Sequence, residues 1–408
     1  MAIQSTIDTC HNKCTANNSA TTTTTTTNTT TSTRNRNNNN TNANAHSLVT
    51  VIIYVPPGNY RTGSIVLKSN MRFHLSKGSA LYGSTNRDDY PLVPMLPHTK
   101  QAMYRSLISG YHIENVAITG DNTGYQAGIF ATFHHPNNTI IDNNDTNNNV
   151  MIDNNNDDDL SIIDGVGWKF WCLYRSMPIP QSYCQQMNPT NETIPKHNRI
   201  MRPKLIEFYN STNIVLDKFP ARNSATWFIH PYQSKNISIT NLTILGPRFV
   251  GGTDGIDPDS CENMIIDSCY IDVGDDGISI KSGNKSITTT PTPSVTYANM
   301  TTTTPSTTTT SSMMCPTRNI TMRNIRIVSR NWCIGSDTFG GIYDIIFEES
   351  TIGDPTMVTS PWGIKVKSHQ YYPGPMENIT IRRIVIGKIG PTPWMYPTQT
   401  SRFAFTIG

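Results

Sequence analysis

Apolar residues along this chain recur in short runs of period two, separated by Asn, Thr, Gly and Pro. In MRFHLSKG, Met71, Phe73 and Leu75 alternate with Arg72, His74 and Ser76, which predicts a half-buried strand. A unit of the form N-I-x-I-x-x returns at Asn213, Asn236, Asn263, Asn319, Asp344 and Asn378, with a weaker copy at Asn115. Its spacings include 236 − 213 = 23, 263 − 236 = 27 and 344 − 319 = 25 residues. A period of roughly 20–30 residues, made of short strands with no helical stripe, predicts a solenoid. The absence of leucine-rich spacing favours an all-β parallel β-helix over a horseshoe. Its coils would stack ~4.8 Å apart through parallel pairing, with Ile, Val and Leu pointing into one continuous core. The Asn that opens each unit is expected either at a left-handed corner, which Asn tolerates, or in a core ladder of stacked amides. Ile3, Ile7 and Cys10 fall on one face of a short helix placed to cap the open first coil.

Three low-complexity tracts interrupt the pattern: 16–46, which holds the run Thr21 to Thr27, the Asn/Asp-rich 136–159 and the Thr-rich 286–317. Such tracts bury too little apolar area to offset ordering entropy, so they are expected as disordered insertions in one domain spanning 1–408. The net charge of +3 is too small for a dedicated nucleic-acid protein. No apolar run approaches the roughly 18 residues of a membrane-spanning helix. Neither nucleic acid nor membrane is therefore expected as a partner, and the chain is expected to be monomeric. Cys10/Cys14, Cys172/Cys184 and Cys261/Cys269 are close in sequence, but none repeats with His partners at zinc-ligand spacing. N-x-[ST] sequons recur, among them Asn191, Asn210, Asn236, Asn241, Asn284, Asn319 and Asn378. The opening MAIQSTIDTC lacks the charged and apolar regions of a signal peptide.

One stretch, Gly251 to Gly283, is unusually rich in carboxylates: Asp254, Asp257 and Asp259, then Asp275 and Asp276. The interval 275 − 254 = 21 residues is close to one coil, which would set these groups on adjacent coils of one surface. Two-carboxylate hydrolysis of a glycosidic bond needs such a cluster: one acid protonates the leaving oxygen, another carboxylate activates water or attacks. Crowded like charges raise one pKa and keep that acid protonated. Asp275 and Asp276 are neighbours and would face opposite ways in a strand, so a strand end or bulge is expected, with Gly274 and Gly277 permitting it. Further on, WGIKVKSH puts Lys365 and Lys367 on one strand face. Paired cations beside acidic catalysts suit an anionic sugar; a solvated strand edge is the alternative.

The motifs taken together resemble glycoside hydrolase family 28, the polygalacturonases and their relatives, in its exo-acting or plant-type branch. YVPPGNYRTGSIVLKSN and LYGSTNRDDYP resemble its early coils, IIDGVGWKFW its I-D-G-x-G-x-x-W turn, and RPKLIEF and WFIHP the coils before the site. TDGIDPDS resembles the N-T-D motif, GDDGISIKSG the D-D motif, IGSDTFGG the I-G-S-E-M-S-G-G segment, and GIKVK the R-I-K motif. The resemblance implies a single-stranded right-handed parallel β-helix that hydrolyses α-1,4 bonds between galacturonic acid units of pectin with inversion, needs no metal or other cofactor, and is secreted. It implies Asp275 as general acid, Asp254 and Asp276 as the groups holding and activating water, and Lys365 and Lys367 as ligands of the substrate carboxylate. Lys281 and Asp337 are further candidates for substrate binding, and a turn role for Asp337 is equally open. His230 is expected to be structural or near the substrate; Trp362, Tyr371 and Tyr372 either pack or stack on sugar.

Three departures stand out. Gly252 replaces the family's Asn, Lys365 replaces its Arg, and Ser329-Arg330-Asn331 stands where it has G-H-G, so the auxiliary histidine is missing. Both ends look short against the family. Two other readings follow: a catalytically inactive carbohydrate-binding solenoid or truncated copy, and a calcium-dependent pectate lyase, in which the Asp cluster would hold Ca²⁺.

Overall fold

The computed structural model describes residues 2–16, 24–26, 29–33, 51–94, 102–122, 140–141, 150–151, 160–172, 202–283, 315–328, 330–356, 360, 362–368, 373–390 and 403–407. The chain winds as a parallel β-helix, each coil contributing short strands to three faces. One long face runs through Val51–Val55, Met71–Leu75, Glu114–Gly120, Thr212–Asp217, Lys235–Thr240, Glu262–Asp267, Thr317–Arg323, Ile342–Ile352 and Met376–Ile386, each parallel to the next. A second face includes Ile162–Asp164, Pro220–Arg222, Thr243–Leu245 and Tyr270–Asp272. The third runs through Ile108–Tyr111, Ile206–Tyr209 and Ile229–Tyr232, then, after one irregular coil, Ile278–Ile280, Trp332–Ile334 and Trp362–Val366.

The repeated units make this register. Ile214, Ile237, Met264, Ile320 and Ile345 are successive partners and are all buried. So are Leu216, Ile239, Ile266, Met322 and Phe347, two residues on. Val215 and Ile265, between the two rows, point outward and are exposed. Burying each such side chain contributes about 1.5–3 kcal/mol, and the stack makes these contributions continuous.

Both expectations for the corner Asn are met together, with one change of place. Asn115, Asn213, Asn236, Asn263, Asn319 and Asn378 have φ between 54° and 59°, the left-handed region. Their amides also form a ladder: Asn213 donates to Asn115 at 2.8 Å, Asn236 to Asn213 at 3.0 Å, Asn263 to Asn236 at 3.2 Å and Asn319 to Asn263 at 2.7 Å. The ladder lies at the surface rather than in the core, because the corner turns the side chain away from the apolar interior.

The helix Ala2–Ala16 packs Ile7 and Cys10 into the core with Ile3 beside them, and Gln4 accepts from Val66 N at 2.7 Å. It covers the first coil as expected. Within the tracts, Thr29–Thr33 pairs antiparallel with Val51–Val55 and with Thr24–Thr26, and Ile140–Ile141 pairs with Val150–Met151. Apart from these short pairings, nearly all of the three tracts lies outside the described residues. Cys172 is disulfide-bonded, whereas Cys261, Cys269 and Cys333 are buried thiols.

Candidate active site

The irregular coil of the third face holds the carboxylates. Isolated bridges at Ile256 and Asp259 carry the stack from Ile229–Tyr232 to Ile278–Ile280. Ile256 is the partner of Ile278, which sets Asp254 beside Asp276, 276 − 254 = 22 residues away. Asp275, which the sequence interval puts one coil from Asp254, also bears on Asp254 through its charge. Asp275 and Asp276 lie on the turn between Tyr270–Asp272 and Ile278–Ile280, where the alternation of a strand is suspended. Gly274 serves that turn through close approach: a Cβ there would sit 2.1 Å from the Val250 carbonyl oxygen. Asp275 is half-buried and accepts from the Gly252 N–H at 2.6 Å and the Asp276 N–H at 3.1 Å. Gly252 has φ +70°, and a Cβ on it would lie 2.7 Å from the Arg202 guanidinium, so Arg202 fills the space a side chain at 252 would enter.

Charge separates the roles of these acids. Asp276 is buried; burial would raise its pKa, but the Lys367 ammonium at 2.7 Å prevails and holds it at about 2. Asn331 Nδ2 and the Cys333 thiol also donate to it, each at 3.1 Å. Asp254 goes the other way. Burial, then the negative charge of Asp257, push it well above the usual carboxylate range, although Lys281 Nζ is 3.4 Å away. Lys281 is committed chiefly to Asp257, and these two acids hold it as a cation despite its burial. Two ammonium groups thus face four carboxyl groups, and a proton on Asp254 relieves the excess.

The remaining candidates divide. Lys367 Nζ is 2.7 Å from Asp276, and Lys281 pairs with Asp257 and Asp254, so both act as counter-charges to the acids. Lys365 stays apart, its ammonium 4.2 Å from the Trp362 ring centroid. Asp337 has an exposed side chain, and its carbonyl accepts from Ser282 N at 2.7 Å, a backbone contact between coils. Arg330, at the position of the missing histidine, is buried and donates to the Gly274 carbonyl at 2.7 Å, bracing the carboxylate turn. Tyr371 and Tyr372 lie outside the described residues.

Other members of the site had no chemical role assigned from the sequence. His230 is buried with Nδ1 2.9 Å from Lys204 Nζ and 3.0 Å from Glu207 Oε1. Burial would raise Glu207, but Lys204 and His230 hold it at about 2. Trp227 takes the Lys281 ammonium at 4.5 Å and that of Lys204 at 5.2 Å over its ring, joining the two clusters. Lys204, Glu207, Asn331 and Cys333 are ordinary residues in the sequence; only the pairing of coils brings them here. Among the described residues no group of three His, Cys, Asp or Glu side chains is disposed to hold a metal ion.

The architecture defines the class as a parallel β-helix with acids gathered on one face. The sequence profile of glycosyl hydrolases family 28 matches residues 188–395, half of the chain, and the chain belongs to that family. It is 26% identical over 352 residues to a probable polygalacturonase of Vitis vinifera, covering 84% of this chain and 55% of that protein. The chain thus spans about half the length of this relative. In fold it is similar to a family 28 exopolygalacturonase of Yersinia enterocolitica (TM-score 0.57, 19% identity, 84% of this chain and 54% of that one). A hyperthermoactive exopolygalacturonase of Thermotoga maritima is also similar (TM-score 0.52, 21% identity, 82% and 68%).

Proposed function

We propose that this protein hydrolyses α-1,4 bonds between galacturonic acid units of pectin by an inverting acid/base mechanism. The observation that carries the reading is the convergence of Asp254, Asp275 and Asp276 on one face, with Asp276 held ionised by Lys367 and Asp254 pushed toward its protonated form. Asp275, half-buried on the turn, is the member open to a leaving oxygen and takes the role of general acid. Asp276 supplies the ionised base, and Asp254 beside it shares the water that attacks the opposite face of the sugar. Lys365 is the cation left for the substrate carboxylate; its single ammonium lacks an Arg fork, so it steers charge more than orientation. A wall polymer is met outside the cell, which makes that the place of action.

The test is reducing-end release from polygalacturonic acid by the purified chain beside Asp275→Asn, with the product anomer followed by proton NMR. The expected result is a loss of at least about 100-fold in Asp275→Asn, β-anomer as first product from the parent, and no effect of chelator. A chelator-sensitive reaction giving an unsaturated product would overturn the reading.

A further inference from the structure

The N-x-[ST] sequons fall on the amide ladder in a regular way. On the strands that the ladder opens, one outward residue per coil forms a row of successive partners: Val215, Ser238, Ile265, Thr321, Ile346 and Thr380. Aliphatic and hydroxyl side chains alternate along it. Each member lies two residues after a corner position. Asn236, Asn319 and Asn378 therefore head the sequons N-I-S, N-I-T and N-I-T, whereas Asn213, Asn263 and Asp344, on the coils between, head none. Acceptors stand on every second coil, roughly 10 Å apart at ~4.8 Å per coil. All three Asn are exposed, and they lie on the long face, not on the face of the carboxylates. Asn210 and Asn241 also head sequons, but they stand off this row, with amides bound to the His112 ring and the Asp217 carboxylate.

The ladder leaves the acceptor nitrogen open to substitution. Asn236 donates to Asn213 at 3.0 Å, Asn319 to Asn263 at 2.7 Å and Asn378 to Asp344 at 2.5 Å. Each of these bonds uses one N–H of a primary amide, which has two. The second hydrogen is replaceable without breaking the ladder. Along the row runs a groove of about 500 Å³, with Asn236, Asn319, Val215 and Ile265 in its lining. Val215 is 39% and Ile265 48% exposed, aliphatic surface left to water directly beside two acceptors. The geometry points to a stripe of N-glycosylation sites along this corner. Asn236, Asn319 and Asn378 carry N-acetylglucosamine-linked glycans, and the first sugars on Asn236 and Asn319 lie in the groove over Val215 and Ile265. In the transfer, the amide nitrogen displaces the diphosphate of a lipid-linked oligosaccharide. The C1–N bond forms, the C1–O bond to phosphate breaks, the lipid diphosphate leaves and the amide gives up one proton. Acceptors on adjacent coils would crowd their sugars at ~4.8 Å, and the alternation of the row doubles that distance. The inference rests on the place of action proposed above, outside the cell, and not on the reaction.

The test expresses the full chain behind a cleaved secretion leader in a eukaryotic cell. Glycans are released by peptide N-glycosidase in heavy-oxygen water, and the labelled positions are mapped by mass spectrometry. Label at Asn236, Asn319 and Asn378 is expected; Asn236 or Asn319 found bare in the folded, secreted protein would overturn the site. Ser238→Ala and Thr321→Ala remove the two sequons in the groove while leaving every ladder amide in place. The double variant is expected to lose label at Asn236 and Asn319 alone, and to bind more of an apolar dye such as anilinonaphthalene sulfonate than the parent does. Adding Ile265→Ser is expected to remove most of that gain. Melting curves establish that each variant is folded. Dye binding that stays at the parent level in the folded double variant would overturn the placement of the sugars over Val215 and Ile265. Reducing-end release from polygalacturonic acid is measured on the same preparations. Glycans at Asn236 and Asn319 on a chain that hydrolyses nothing would sink the catalytic reading and leave this one standing. Hydrolysis by a secreted chain bare at both would do the reverse.

Discussion

Asp254 and Asp276 carry the same functional group on adjacent coils, and their surroundings drive them apart. Asp276 has a Lys367 ammonium, an amide and a thiol directed at it; Asp254 has burial and the negative charge of Asp257 against a distant share of Lys281. Two outcomes follow. Asp254→Asn should abolish polygalacturonate hydrolysis yet raise the melting temperature at neutral pH by a few degrees, because an amide removes the buried carboxyl's ionisation penalty. A melting temperature that falls would show Asp254 to be ionised in the fold. Lys367→Met should let the Asp276 carboxyl rise from about 2, so the acid limb of the pH–rate profile moves to higher pH. An unmoved limb would assign it to another group. The carboxylates were legible because eight acids between Gly251 and Gly283 stand out in so weakly charged a chain. Lys204, Glu207, Asn331 and Cys333 were not, because each acts through a contact with a coil 23 to 57 residues away.

The repeated strand with its opening Asn is the unit that the sequence announces most clearly, and each part of it has a physical duty. The alternating apolar residues fill the core, while the Asn turns the chain with positive φ and joins its neighbours by amide hydrogen bonds. Asn236→Ala should cost about 1–3 kcal/mol, from two lost ladder bonds and the strain of a left-handed Ala. Ile239→Ala, fully buried in the same strand, should cost about 2–5 kcal/mol. Urea denaturation compares the two; a neutral Asn236→Ala would mean that the ladder is ornamental. The carboxylate turn behaves differently. Its geometry comes from Gly274 packed against the Val250 carbonyl and Arg330 bonded to Gly274, neither of which has a local signature beyond the glycine itself.

Acid and base act in opposite senses on the stability of the assembled solenoid. Glu207 and Asp276 are held at about 2, below the ordinary value of about 4. The stability they contribute is fully present above about pH 4 and is lost as pH falls from there toward 2. Asp254 is raised, so its contribution is fully present below the ordinary carboxylate value and is lost as pH climbs toward its folded pKa. The melting temperature should therefore peak in mild acid, declining below about pH 4 and also toward neutrality. A series of melts across that range checks it; a flat profile between mild acid and neutrality would contradict the proton on Asp254. The helix Ala2–Ala16, by covering the first coil, keeps one end of the stack from presenting unpaired strand groups.

Fold class, capping helix, corner residues and the acidic stretch all followed from the sequence, because each is set within one coil by period-two burial and by the backbone preference of Asn. Which acid faces which depended on the stack. The backbone register sets Asp276 22 residues from Asp254, both Asp275 and Asp276 bear on Asp254, and insertions between coils concealed the offsets that bring Lys367, Asn331 and Cys333 to Asp276. Pairing between coils is a contact of long sequence separation. Its register is fixed by the packing of the whole core, and so is the protonation of the site.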